Sequence, residues 1–173
     1  MTKLDASKDW YRDGYLLSSK HELIQPDAFN AALASDLIWW AKPLPRDQLL
    51  KALNNSLCLG LYALPDSTAS IAGQRDPEMV GFCRVITDYV TFGYLTDVYI
   101  LNEHQGKGLG KWMMDCLNEL LAEWPDLRRV LLITGSPDAN KLYTKTLGAV
   151  EWNSSAAGKM SVMQKFGPAV SNR

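Results

Sequence analysis

YLTDVYILNEHQGKGLGK, residues 94–111, reads as a half-buried strand that runs straight into a glycine-rich loop, and the loop opens a long amphipathic helix. Glycines at Gly106, Gly108 and Gly110 let a backbone lie close to a ligand without side-chain interference. The first turn of the helix leaves N–H groups unpaired at the positive end of its dipole. Lys107 and Lys111 add two cations at the same place, where they oppose that dipole unless an anion is present. Together Gln105, Gly106, Lys107, Gly108, Leu109, Gly110 and Lys111 make a socket for a diphosphate or a similar anion.

Three patterns place glycines between a strand and a helix. The P-loop GxxxxGK[ST] needs Gly at Gln105 and Ser or Thr at Trp112, so it fails twice. The dinucleotide fingerprint GxGxxG, started at Gly106, needs a small residue at Lys111 and belongs to a first βα unit, so it fails too. The pattern [RQ]xxGx[GA] fits every position from Gln105 to Gly110. With the strand before it, the helix after it and DANKLYTKTLG at 138–148, this stretch resembles the GNAT superfamily of acyl-CoA-dependent N-acetyltransferases. The stretches NSLCLGLY at 55–62 and 81–101 are also similar to small single-domain members.

Outward from that segment, the expected elements run βααββ(β)αβαββ. A strand is expected at 11–19 and helices at 27–37 and 46–54. A stiff connector, IWWAKPLP, lies at 38–45. Strands follow at 57–64, 80–87 and 90–101, with a polar loop at 65–77. On the helix 107–124, Leu109, Trp112, Met113, Cys116, Leu117, Leu120 and Trp124 recur at helical spacing. An unbroken apolar run marks a strand at 129–134 covered on both faces. A short helix at 137–146 ends near Gly148, a suitable C-terminal cap, and strands at 149–153 and 159–166 close the sheet. No linker divides the chain, so residues 1–173 are expected to form one domain with flexible tails at 1–10 and 167–173. The fold class is mixed α/β, and the resemblance implies a mostly antiparallel sheet of six to seven strands, splayed in the middle and flanked by about four helices.

Composition narrows the partners. At 173 residues, 47% hydrophobic and 21% charged, the chain is large enough to bury a core and ordinary for a globular protein. A net charge of −1 argues against nucleic acid or an anionic membrane as partner. No apolar run reaches the roughly 18 residues a membrane-spanning helix needs, and the start carries no apolar signal core. Three cysteines without CxxC spacing, Cys58, Cys83 and Cys116, suit buried free thiols. The cytoplasm is the expected location, with the nucleus open. Two histidines and no cysteine cluster leave no metal site expected. His104 reads first as a solvated loop residue.

The resemblance implies acetyl-CoA as cosubstrate, with its diphosphate on the amides of 106–111. It implies a pantetheine arm paired as an extra strand with the backbone of Val98, Tyr99 and Ile100, and an amide near Val98 that polarises the thioester carbonyl. Tyr143 would donate to the leaving thiolate. Asn140, one turn before it on the same helix face, would hold the pantetheine amide or a water. The family's strand often carries a Glu where this chain has Thr96. Asp97 beside it has three open readings: a base acting through water, a charge that binds the amine, or a buried structural acceptor. Strand alternation points Thr96 and Asp97 to opposite faces. Asp88, at the preceding turn, is a second carboxylate that could serve the acceptor. Trp39 and Trp40 offer either an aromatic wall for an amine or a hydrophobic lid. The expected reaction is direct attack of a small-molecule amine on acetyl-CoA in a ternary complex, in a monomer or homodimer. A CoA-binding sensor without catalysis, and acetylation of a protein amine, are the alternatives.

Overall fold

The structure, a computed structural model, describes residues 7–65, 77–152, 163 and 165. Its elements are β1 (Asp9–Arg12), β2 (Tyr15–Ser18), α1 (Pro26–Leu33), α2 (Arg46–Asn54), β3 (Ser56–Ala63), β4 (Glu78–Thr87), β5 (Phe92–Ile100), α3 (Leu109–Leu121), β6 (Arg129–Leu132) and α4 (Pro137–Leu147). The six strands lie side by side in chain order. Neighbours are antiparallel through β5, and β6 joins β5 in parallel after the α3 crossover. A parallel pair needs such a crossover, whereas the antiparallel neighbours need only turns.

Each face of the sheet buries its own core. On one face Leu17, Leu59, Leu61, Val85 and Leu95 meet Leu109, Met113, Met114, Leu117 and Leu120 of α3. On the other, Tyr62, Phe82 and Tyr99 meet Phe29, Leu33, Ile38, Leu49 and Leu53 from α1, α2 and their connector. Full burial of one such side chain is worth about 1.5–3 kcal/mol. The Leu57, Leu59 and Leu61 face expected of the third strand is the one turned to α3.

Several expected boundaries change, each for a local reason. Residues 11–19 form a hairpin and not one strand. Asp13 and Gly14 both have positive φ, 48° and 79°, the signature of a two-residue turn whose twist matches the strands it joins. Strand β1 begins at Asp9, inside the segment expected to be a tail. Helix α1 stops at Leu33, and a 3₁₀ turn, Asp36–Ile38, follows because the Ser35 hydroxyl accepts from the Leu37 N–H. Strand β5 starts at Phe92 because Asp88 captures the residues before it. Residues 149–152 are not a strand. Residue 153 and most of 159–166 lie outside the described residues, as do 66–76, 1–6 and 166–173. Among the described residues no helix is long and apolar enough to cross a membrane.

Candidate functional site

The site begins where two strands part. Strand β6 follows β5 only from Phe92↔Arg129 to Leu95↔Leu132. From Thr96 onward β5 keeps β4 on one side and has no strand on the other among the described residues. Leu101 N–H donates to Val80 on β4 at 2.8 Å. Alternation then turns the Tyr99 amide to β4 as well, and the Val98 and Ile100 amides to the open side. An edge of this kind is a template for an extended ligand.

At the parting point β5 carries an extra residue. Phe82 pairs with Tyr99 and Arg84 with Thr96, so Cys83 faces both Asp97 and Val98. Asp97 adopts φ +54°, the left-handed conformation that Asp tolerates better than most residues. The bulge reverses the strand's faces. Leu95 before it packs toward α3, as Val98 and Ile100 do after it, while Tyr99 turns to the α1–α2 core. The expectation that Thr96 and Asp97 point apart is therefore corrected. Asp97 shares the face of Arg84, whose Nε and Nη2 both reach its Oδ2 at 2.7 Å. Thr96 Oγ1 donates to the other oxygen at 3.3 Å. Of the three readings of Asp97, this pairing suits the buried structural acceptor.

Past Ile100 the chain makes a 3₁₀ turn, Asn102–His104, and enters the glycine loop. Gln105 Nε2 donates to the Ile100 carbonyl at 2.9 Å and to Asn102 Oδ1 at 3.1 Å, which pins the loop to the end of β5. Gly106 and Gly108 have φ +77° and +73°, and Gly108 is the N-cap of α3. Gly110 is different. Its φ is not in the left-handed region and a Cβ there would meet nothing within 4 Å. Neither backbone nor packing calls for glycine in that first helical turn, where it costs about 1 kcal/mol relative to Ala. An open space beside free helix N–H groups suits a bound anion that approaches the backbone closely.

Strand edge and loop open onto one cleft of about 380 Å³. Its lining includes Val98, Tyr99, Ile100, Gln105, Gly106, Gly108, Leu109 and Gly110, together with Leu37 and His104. The expected backbone contacts and the expected anion socket thus meet in one place. Lys107 and Lys111 stand beside the cleft with their ammonium groups engaged. Lys111 pairs with Asp115 one turn on, and Lys107 Nζ donates to the Tyr15 hydroxyl at 3.0 Å while lying over its ring.

Three residues here were not singled out from the sequence. The Tyr15 hydroxyl lies 2.9 Å from His104 Nδ1, and the two rings meet edge to face. Lys107 donates to the Tyr15 oxygen, so the Tyr15 proton is available to Nδ1. Arg12, across the hairpin turn, has Nη2 within 3.7 Å of where a Gly108 Cβ would stand. The Asp-Gly pair at 13–14 is the signal that could have brought Arg12 and Tyr15 to this place. Leu37 arrives on the 3₁₀ turn created by Ser35.

The remaining expected residues divide. Tyr143 lies half-buried on α4 and packs against the α3-side core. Burial, with a smaller contribution from the nearby Cys83, pushes its phenol up to about 12. Asn140 is exposed one turn earlier. Gly148, with φ +64°, caps the helix as expected. Asp88 sits at the turn as expected, but its carboxylate is turned onto that turn's own amides and away from any acceptor. Its Oδ2 accepts from the Thr91 hydroxyl and its Oδ1 from the amides of Val90, Thr91 and Phe92, contacts that hold the carboxyl far below its ordinary range, the Thr91 hydroxyl most of all. At about 3.3 Å per residue it lies roughly 20 Å along β5 from Val98. Trp39 and Trp40 are both exposed, with ring centroids 5.7 Å apart. The three cysteines are buried and free. Burial pushes the Cys58 thiol up to about 12 and the Cys116 thiol up to about 11. No cluster of possible metal ligands occurs among the described residues.

Comparison with known proteins agrees with this geometry. Residues 31–149 match the model of the acetyltransferase (GNAT) family. A protein of Gibberella zeae, named as a candidate acetyltransferase, is 48% identical over 158 residues, covering 88% of each chain. A crystal structure of a GNAT-family protein from Xanthomonas campestris pv. campestris superimposes with TM-score 0.69 at 29% identity, over 93% of this chain and 99% of that one. A Staphylococcus aureus structure, described as a probable acetyltransferase, shares the fold with TM-score 0.59 at 22% identity, over 87% and 99%.

Proposed function

The chain belongs to the GNAT acetyltransferase family, and from that premise we propose that it moves the acetyl group of acetyl-CoA to a small-molecule amine by direct attack in a ternary complex, in the cytoplasm, as one domain. The observation that carries this reading is the single cleft shared by the open edge of β5 at 98–100 and the glycine-bearing start of α3. The amides of 106–111 hold the diphosphate, and the open space at Gly110 fits a close approach. Lys107 and Lys111 add charge once released from Tyr15 and Asp115. The backbone of Val98 and Ile100 pairs with the pantetheine arm. Coenzyme A, when bound, supplies an activated thioester. The Val98 amide donates toward its carbonyl oxygen, a contact that strengthens as charge develops there.

In this reading Tyr143 serves the departing sulfur. A phenol pushed up to about 12 stays protonated at neutral pH and is too weak an acid to give its proton outright to a thiolate whose thiol titrates near 8.5. It therefore stabilises the leaving thiolate as a hydrogen-bond donor and keeps its own proton, while the amine's proton leaves through water. Asn140 orients the arm or a water beside it. An alkylamine is neutral in only about one molecule in a thousand near pH 7, a penalty of roughly 4 kcal/mol. Asp97 is committed to Arg84, and Asp88 to its own turn. The acceptor accordingly has a low amine pKa or loses its proton through water. That same commitment of both carboxylates favours a second reading, a CoA-binding sensor without turnover.

A thiol-release assay with acetyl-CoA over a panel of aryl- and alkylamines, run beside calorimetry, separates the readings. Release of CoA with at least one amine supports the enzyme. Heat of binding with no turnover across the panel supports the sensor, and no heat on folded protein ends both.

A further inference from the structure

We infer that Arg84 is a positioning residue for acyl transfer: through its ion pair with Asp97 it holds the β5 bulge in the conformation that aims the Val98 amide into the cleft. This rests on the acetyl-transfer reading above and extends it to a side chain that never meets the substrate. The left-handed backbone of Asp97 is the strained element. Asp13 shows that Asp can take a positive φ in an exposed turn; inside a strand, where it breaks the ladder, the same conformation needs its neighbours to hold it. Here the hold comes from Arg84, whose Nε and Nη2 close on one carboxylate oxygen at 2.7 Å. The fork is itself anchored. Arg84 Nη1 donates to Ser56 Oγ at 3.2 Å, and Ser56 Oγ donates to the Ala52 carbonyl of α2 at 2.9 Å. The side chains are 16% and 7% exposed, so water screens the pair little.

A buried ion pair is a weak source of net stability, and its best-attested use is to fix a register. Register is what matters here. Without the extra residue at 97, every side chain beyond it would change face. The Val98 amide would then turn toward β4 and away from the open edge. Arg84 stands on β4 opposite Thr96, so the pair spans the two strands across the bulge itself. Glycine adopts the left-handed conformation without a clamp, which makes the idea separable from a role for either charge in catalysis.

The experiment compares the wild type, Arg84→Met, Asp97→Gly and the double variant. Two readouts are taken: steady-state thiol release, and the Val98 amide resonance with saturating acetyl-CoA. Arg84→Met is expected to lower kcat at least tenfold, because losing one such donor typically costs 10²–10³. It should raise KM for acetyl-CoA as well, since the Val98 and Ile100 backbone that pairs with the pantetheine arm moves with the bulge. In the wild type acetyl-CoA is expected to move the Val98 resonance downfield, and Arg84→Met should abolish that shift. Adding Asp97→Gly should bring kcat to within threefold of wild type and restore the shift. Wild-type kcat in Arg84→Met, or a double variant as slow as Arg84→Met, would overturn the inference. If Arg84→Met does not fold, the double variant, which buries no unpaired charge, decides alone: folded and active supports the clamp, and inactive or unfolded sinks it. A wild type that binds acetyl-CoA but turns over no amine removes the acetyltransferase reading and the kcat readout, and the Val98 shift then decides whether Arg84 sets the bulge. A wild type that does not bind overturns both.

Discussion

The two halves of β5 use one backbone in opposite ways. From Gly93 to Leu95 the strand is paired on both sides, with Gly93 and Leu95 buried. From Val98 to Ile100 it is paired on one side only, and its other edge looks into a cleft. The first half has a strand neighbour along both of its edges and is there to be stable. In the second half, amides that the fold could have consumed are left for a ligand, a local cost of the kind active sites carry. The difference comes from length and one bulge. Strand β6 is four residues long where β5 has nine, and Asp97 interrupts the ladder where the partner ends.

If that division is right, substitutions in the halves should separate stability from chemistry. Leu95→Ala should cost about 2–5 kcal/mol of stability, the usual range for a buried large-to-small change, with kcat per folded molecule unchanged. Chemical denaturation together with active-site titration checks this, and a loss of kcat would break the division. Gly110→Asp should weaken acetyl-CoA at least 100-fold by calorimetry without lowering the melting temperature. Gly110 is a cleaner probe than Gly108, whose left-handed backbone would be strained by any side chain.

Tyr143→Phe should lower kcat about 10- to 100-fold with acetyl-CoA affinity within twofold. Its pH profile sharpens the comparison. Because the phenol is held up to about 12, the proton-bearing form is complete below its ordinary value near 10 and is lost only as pH rises through 12. The wild-type rate should therefore climb with the neutral fraction of the amine and show no falling limb below pH 10. A limb near 8–9 would take Tyr143 out of the donor role. The smallest effect is expected for Val98→Ala, under threefold in kcat, because that position acts through its main chain. A drop beyond tenfold would mean that the side chain touches substrate.

Much of this division was legible in the chain. The glycine pattern from Gln105 to Gly110, the amphipathic helix after it and the apolar strand before it are local in sequence, and they reappear as loop, α3 and β5. The backbone contacts proposed for Val98 and Ile100 followed from the resemblance, and both residues line the observed cleft. The Asp13–Gly14 turn was equally legible and went unused, which cost the placement of Arg12 and Tyr15. Asp88 was misread because a carboxylate in a turn looks the same on paper whether it faces a substrate or its own amides. For Asp97 the sequence offered the buried structural acceptor among three readings and could not choose between them. Alternation predicts its face only while the ladder is regular, and the residue that decides the matter, Arg84, is thirteen positions away on another strand.

By itself the sequence determined what depends on neighbours along the chain: periodicity, which writes the helix and strands, and glycine spacing, which writes the loop. Tertiary structure alone decided what depends on neighbours across it. Where β6 stops, which face Asp97 takes and which amides remain open are set by pairing between strands far apart in the chain. One added residue in such a ladder reverses the direction of every side chain and amide after it.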